Sequence, residues 1–185
     1  FKKAVDVAKE LGMERIVLDY GWWKNVGEWY ADPDRWPNGI GDVGKYIRDS
    51  GMDFVLYVLF HSSNSTQEDA LTPVGPNAHP EWLVGGGTQP IDYADLGDED
   101  CVAFIQRNLL ALLNRSYANA YRSDFSPVQP SSIQKNRHRY GTDTEYWCYQ
   151  GFYEILEYLY ENIEDFTFEN CCGGGYYKDF ATMKY

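Results

Sequence analysis

The sequence has little positive charge and no long apolar run. Its 185 residues carry 16 Lys and Arg against 28 Asp and Glu, which gives a formal net charge of −12. Such a chain repels phosphate backbones and anionic lipids, so we expect neither nucleic acid nor a membrane surface as a partner. The longest apolar run, residues 54–60, is far shorter than the roughly 20 residues that cross a bilayer. We therefore expect no transmembrane helix.

Several signatures of metal, nucleotide and nucleophile chemistry are missing. The four cysteines form no CxxC pair: Cys101, Cys148, Cys171 and Cys172. The three histidines lie far apart in predicted loops, without HExxH spacing: His61, His79 and His138. No GxSxG elbow, GxGxxG loop or Walker lysine occurs. We expect neither a metal nor a cofactor, and we discount a serine or cysteine nucleophile.

The apolar pattern alternates between helical and extended periods. With 44% apolar and 17% aromatic residues, the chain can bury a core. The predicted helices cover 2–11, 42–50, 99–115 after an Asp98 cap, and a segment around 152–163. The predicted strands cover 15–20, 52–60, 118–125 and 166–170. Four strands that alternate with helices imply a parallel sheet with right-handed crossovers, either a barrel or an open doubly wound sheet.

The unusual residues favour the barrel, because they follow the predicted strands, where (β/α)8 enzymes place their chemistry. They are Asp19-Tyr-Gly-Trp-Trp, His61, Arg122-Ser-Asp124 and the tract Cys171 to Gly175. A whole barrel takes about 250 residues and eight strands. We therefore predict an α/β fold, a partial (β/α)8 TIM barrel of about four βα units. Residues 1–185 are expected to form one partial catalytic domain, truncated at both ends.

Two carboxylates stand out at equivalent strand ends. Asp19 and Asp124 can face one cleft, and Trp22, Trp23 and Arg122 flank them. Aromatic rings stack on the C–H faces of a sugar, and charged groups bond its hydroxyls, so this set favours a carbohydrate site. A weaker alternative is an open α/β domain that binds an anion at its glycine tract.

Five segments occur in the order found in one enzyme family. They are 11–23 (LGMERIVLDYGWW), 36–39 with Gly51-Met52, 79–82 (HPEW), 121–125 (YRSDF) and 168–174 (FENCCGG). They resemble the LGxExxxxDDGWF, FPxGL with GMxFGLW, HPDW, IKWDFN and FExCxSGG elements of glycoside hydrolase family 36, the α-galactosidase-like retaining enzymes. The resemblance spans nearly the whole chain.

The resemblance implies a (β/α)8 barrel in which Asp124 is the nucleophile that attacks the anomeric carbon. It also implies residues that line the sugar pocket, to which we add two aromatic neighbours as expected sugar contacts. The full set is Asp19, Trp22, Tyr57, Arg122, Cys171 and Gly174. The implied partner is an oligosaccharide or glycoside substrate. A homo-oligomer of the full-length protein is left open.

Four positions depart from the family pattern and put galactose specificity in question. Tyr20 replaces an Asp, Tyr57 and Ser123 each replace a Trp, and Tyr177 replaces an Arg. An alternative is therefore a noncatalytic carbohydrate-binding barrel derived from such an enzyme. The resemblance places the acid/base Asp past the end of this sequence, and we interpret Asp179 as structural. We therefore expect these 185 residues alone to be inactive.

Overall fold

A computed structural model describes residues 1–60, 79–84, 92–124, 144–175 and 178–185. Most of the predicted loop 61–96 and all of loop 126–143 lie outside these residues. The strands are β1 (Arg15–Leu18), β2 (Asp53–Tyr57), β3 (Ala120–Ser123) and β4 (Thr167–Asn170). The helices are α1 (Lys2–Glu10), α2 (Gly41–Asp49), α3 (Glu99–Ser116), α4 (Thr144–Asn162) and α5 (Cys172–Gly175), with 3₁₀ turns at Pro80–Trp82 and Thr182–Lys184.

The strands form one sheet in the order β1-β2-β3-β4, and every pair is parallel. This confirms the predicted α/β fold with parallel strands. The order follows the sequence without reversal, as in a barrel. An open doubly wound sheet instead has a switch point where the order reverses, and the four described strands contain none.

The strands are shorter than predicted because the chain leaves the sheet early. Predicted strand 52–60 stops pairing as β2 at Tyr57, and the carbonyl of Phe60 accepts instead from the backbone N–H of Ala94 at 2.9 Å. Predicted strand 15–20 ends at Leu18, and Gly21 turns with a φ of 91°. The side chains after β1 and β2 therefore lie on turns at the carboxyl ends of the strands.

One face of the sheet packs against the helices. Phe54 is fully buried, and a Cβ placed on Gly44 of α2 would lie 2.9 Å from its ring and 1.8 Å from the carbonyl oxygen of Ser116. On β4, the Phe168 ring packs edge-on against Phe152 of α4. Since side chains alternate along a strand, the neighbouring positions point to the other face. That second face carries Tyr57, Arg122 and Glu169.

Helix α3 has a side-chain cap, as the sequence predicts. The carboxylate of Asp98 accepts from the backbone N–H groups of Asp100 and Cys101 at 3.0 and 3.1 Å. At its other end the helix stops at Tyr117, whose φ of 57° is left-handed. Both ends of the β2–β3 crossover are thus fixed by local hydrogen bonds.

A polar cluster joins the amino ends of the first three strands. Asp53 at the start of β2 accepts hydrogen bonds from Arg15, Arg48 and Asn119. Burial alone would raise the pKa of this carboxyl, but the bonds from Asn119 and the two arginines outweigh it and hold the pKa below its usual range. The cluster stabilises the end of the sheet opposite to the candidate site.

Candidate active site

The carboxyl ends of β1, β3 and β4 bring the sequence-predicted site residues together. Asp19 follows β1, Asp124 follows β3 and Cys171 follows β4. Arg122, on β3, is two residues before Asp124 and therefore shares its face of the sheet. The predicted set Asp19, Arg122, Asp124 and Cys171 thus lies at one edge, as expected from the strand ends.

Arg122 is the centre of this set. Its Nε lies 3.3 Å from Oδ2 of Asp19, its Nη2 donates to Sγ of Cys171 at 3.1 Å, and its Nη1 pairs with Oε1 of Glu169. Only 20% of its side chain is exposed. All three guanidinium nitrogens therefore contact a neighbouring strand or strand end, which fixes the planar group in one orientation.

The pKa shifts of two neighbours report the acidic surroundings. Burial raises the pKa of Tyr57, and the negative charges of Asp124 and Asp19 raise it further. The pKa of the Cys171 thiol is also raised, first by burial and then by its hydrogen bond with Asp124, while Arg122 opposes the shift. Asp124 therefore lies close to both Cys171 and Tyr57, and both groups stay protonated at neutral pH.

The structure places Trp22, which we expect to contact sugar, in the core. Its indole is 1% exposed, and Nε1 donates to the carbonyl oxygen of Tyr57 at 2.7 Å. In the described residues the ring offers no exposed face for stacking, and its sugar contact stays a prediction. Tyr57 is itself 2% exposed, and its ring packs against Trp23 and Tyr20. Tyr20, by contrast, is 64% exposed and forms the accessible aromatic surface here.

The glycine tract forms the short helix α5 after β4. Gly174 has a φ of 92° and is exposed, and a Cβ built on it would meet nothing within 4 Å. The position needs glycine for its backbone conformation rather than for close packing. This helix has only four residues, so its macrodipole is small and adds no support to the alternative of an anion site.

Asp179, which we interpret as structural, is held by hydrogen bonds within its own region. Its Oδ2 accepts from the hydroxyl of Tyr153 on α4 at 2.5 Å, and its Oδ1 accepts from the backbone N–H of Thr182 at 2.8 Å. These contacts anchor the chain after α5 to helix α4. They give both carboxylate oxygens a partner outside the Arg122 cluster.

Some sequence predictions fall outside the described residues. These are His61, His138 and Tyr177, and the side chain of Cys172 is also not described. His79 stacks on Trp82 with ring centroids 3.7 Å apart. Within the described ranges, no group of three or more His, Cys, Asp or Glu side chains is arranged to hold a metal ion. The same residues include no helix that is long and apolar enough to span a membrane.

Glu169 is the site residue that the sequence analysis missed. It pairs in register with Arg122 across β3 and β4, and its carboxylate forms an ion pair with that guanidinium. The available sequence signal was its place two residues before Cys171, which puts both side chains on one face of β4.

The chain is similar to known proteins over most of its length. The Melibiase family matches residues 1–185. The chain is 26% identical to an alpha-galactosidase of Escherichia coli over 96% of its own length, and 28% identical to alpha-galactosidase Mel36A of Lactobacillus acidophilus over 94%. It spans 25% of the length of each of these curated relatives.

Solved structures share the fold. An alpha-galactosidase from Lactobacillus brevis superposes on 94% of this chain and 24% of its own, with a TM-score of 0.71 and 19% identity. A variant of alpha-galactosidase AgaA from Geobacillus stearothermophilus, in complex with raffinose, covers 100% of this chain and 27% of its own, with a TM-score of 0.68 and 22% identity. Because the family match extends over residues 1–185, the chain belongs to the Melibiase family.

Proposed function

We propose that residues 1–185 form four βα units of the catalytic (β/α)8 barrel of a retaining glycoside hydrolase acting on α-linked, galactose-related sugars, with Asp124 as the nucleophile. One observation carries the proposal. Asp124 follows β3 on the same face as Arg122 and forms a hydrogen bond with Cys171 after the next strand. Further support comes from the relatives, which are alpha-galactosidases, and from AgaA, which binds raffinose.

The chemistry follows that of a retaining glycosidase, which uses two carboxyl groups. The Asp124 carboxylate attacks the anomeric carbon while a general acid gives its proton to the leaving oxygen, so a covalent glycosyl-enzyme forms. Water then hydrolyses this intermediate. Arg122 favours the ionised form of Asp124 that attack requires. The exposed carboxylate of Asp19 is available to accept sugar hydroxyls.

The general acid is assigned to neither of the carboxylates that contact Arg122. A general acid must carry its own proton, whereas Asp19 and Glu169 each form an ion pair with the guanidinium. The family resemblance instead places this group after the glycine tract. The proposal therefore leaves the second carboxyl to the rest of the barrel.

The decisive experiment replaces Asp124 in the complete protein and supplies an external nucleophile. We expect Asp124→Gly to lower turnover of p-nitrophenyl α-galactoside by several orders of magnitude, because no covalent intermediate can form. Azide that enters the vacated space should attack the anomeric carbon and restore part of the turnover. The product should be a glycosyl azide of inverted configuration, which NMR identifies.

Asp19→Gly is the matched control, because it removes a carboxylate from the same edge of the sheet. It should weaken sugar binding without giving a glycosyl azide. Near-normal turnover by Asp124→Gly, or a mechanism-based label attached to another carboxylate, would contradict the assignment. A complete protein that binds galactosides but cleaves no α-glycoside would favour the noncatalytic carbohydrate-binding barrel.

A further inference from the structure

Glu169 lies beside Arg122, two residues along the strand before the proposed nucleophile Asp124. The register pairs Glu169 on β4 with Arg122 on β3, and both side chains point to the face that carries Asp124 and Cys171 two residues further on. Two residues of strand span about 6.6 Å. Glu169 therefore starts two residues below the nucleophile, at the level of Arg122, and its carboxylate reaches the guanidinium on the face that carries Asp124.

The three contacts of Arg122 differ in quality. Nη1 pairs with the Glu169 carboxylate on the neighbouring strand, and Nη2 donates to Sγ of Cys171 at 3.1 Å. The Nε atom is buried and, although 3.3 Å from Asp19, makes no hydrogen bond. Glu169 is thus the carboxylate that fixes the direction of the guanidinium, while Asp19 contributes charge at a looser geometry.

The local charge balance gives this contact a consequence for Asp124. Arg122 is the cation that the described contacts bring to this cluster, whose other titratable members are Asp19, Tyr20, Tyr57, Asp124, Glu169 and Cys171. Glu169 both orients the guanidinium and neutralises part of its charge. If Glu169 were uncharged, more of that positive charge would act on Asp19 and Asp124.

We infer that Glu169 is a positioning residue that holds Arg122 beside Asp124 and limits the charge that Arg122 exerts on this nucleophile. The inference rests on the proposed function, since it assigns Glu169 a role in the same reaction. An arginine suits this role because its planar fork contacts three groups at once, whereas a lysine ammonium is a single point charge.

The test uses Glu169→Gln in the complete protein. We expect kcat for p-nitrophenyl α-galactoside to fall about tenfold to a hundredfold, since misplacement of a catalytic group by about 1 Å can cost this much. The acid limb of the kcat/KM profile should also move to lower pH, because the freed positive charge keeps Asp124 ionised further into acid. A merely structural loss would lower activity without moving that limb.

Two variants serve as controls. Glu169→Asp keeps the charge, so the acid limb should stay at its wild-type pH and kcat should recover in part. Glu164→Gln removes the same charge from an exposed turn before β4 and should change neither kcat nor the limb. If Glu169→Gln fails to fold, the Glu169→Asp and Arg122→Lys single and double variants are compared instead, and non-additive losses in kcat are expected.

Wild-type kcat with an unmoved acid limb in Glu169→Gln would overturn the inference, as would a lowered melting temperature with an unmoved limb. If the Glu169→Asp and Arg122→Lys variants are used instead, strictly additive losses in kcat would also overturn the inference. A mechanism-based label on the wild-type protein separates this failure from failure of the proposed function. Label on Asp124 together with an unaffected Glu169→Gln rejects the role of Glu169 alone, whereas label elsewhere rejects both.

Discussion

Tyr20 occupies the accessible rim of the proposed sugar site. Its ring centroid lies 5.3 Å from that of Trp23 in an edge-on contact and 6.3 Å from that of Tyr57 in a tilted one. Tyr20 is 64% exposed. The family pattern has an Asp at this position. Its replacement by Tyr removes a charged acceptor for sugar hydroxyls and adds bulk. We expect Tyr20→Asp to raise the preference of the complete protein for α-galactosides over other α-glycosides about tenfold, the worth of one charge-assisted hydrogen bond.

The preference is measured as a ratio of kcat/KM values across a panel of nitrophenyl α-glycosides. Tyr146→Asp makes the same chemical change at an exposed position of α4 and should leave the ratio unaltered. An unchanged ratio in Tyr20→Asp would mean that the rim tyrosine does not select the sugar.

Residue positions were predictable where strand geometry alone decides them. Asp19, Arg122 and Asp124 follow from strand ends and alternation, and the structure brings Asp19 within 3.3 Å of Arg122. Trp22 was not predictable in this way, because the direction of its indole depends on a turn at Gly21 and on the Tyr57 carbonyl 35 residues away. Glu169 likewise needs the register of β3 against β4, which no local pattern contains.

At the scale of elements, the cap of α3 offers a stability test. The buried Asp98 carboxylate accepts two backbone N–H groups that would otherwise be unpaired at the start of the helix. Asp98→Ala should lower the free energy of unfolding by about 1 kcal/mol. The midpoint of urea unfolding, followed by tryptophan fluorescence in the complete protein, measures this change.

Asp100→Ala supplies the control for the cap. Its side chain is exposed in the same first turn, so its loss should alter only the interaction with the helix dipole, worth about 0.3–1 kcal/mol. Equal midpoint shifts for the two variants would show that the Asp98 hydrogen bonds add no stability beyond charge.

Element types were readable from sequence, while their ends were not. The 3.6-residue period of apolar side chains predicted the helices α1 to α4, and short continuous apolar runs predicted each of the four strands. The strand ends differ because long-range pairing decides them, as when the Phe60 carbonyl turns to Ala94 rather than to β3. Helix α4 begins at Thr144, earlier than predicted, because the apolar stripe that marks it in the sequence begins only around residue 152.

At the scale of the whole molecule, the sheet has two edges. In the described residues β1 pairs only with β2. On the far side of β4, the backbone N–H of Phe168 donates to the carbonyl oxygen of Tyr185 at 3.2 Å. Open strand edges pair readily with other chains, and a barrel removes them by closing. The sequential strand order is the one that such closure requires.

These 185 residues expressed alone should differ in activity and in association state from the complete protein. A retaining mechanism needs a second carboxyl about 5–5.5 Å from the nucleophile. Two carboxylates are described in the cluster around Asp124. They are those of Asp19 and Glu169, and both contact Arg122. We therefore expect the short chain to release no p-nitrophenol from an α-galactoside above background, while the complete protein does. Light scattering should show that the short chain self-associates through its open edges. Robust turnover by the short chain that disappears in Asp124→Gly would mean that a carboxyl group within these residues, such as Asp179, acts as the acid, and would require a different assignment of the general acid.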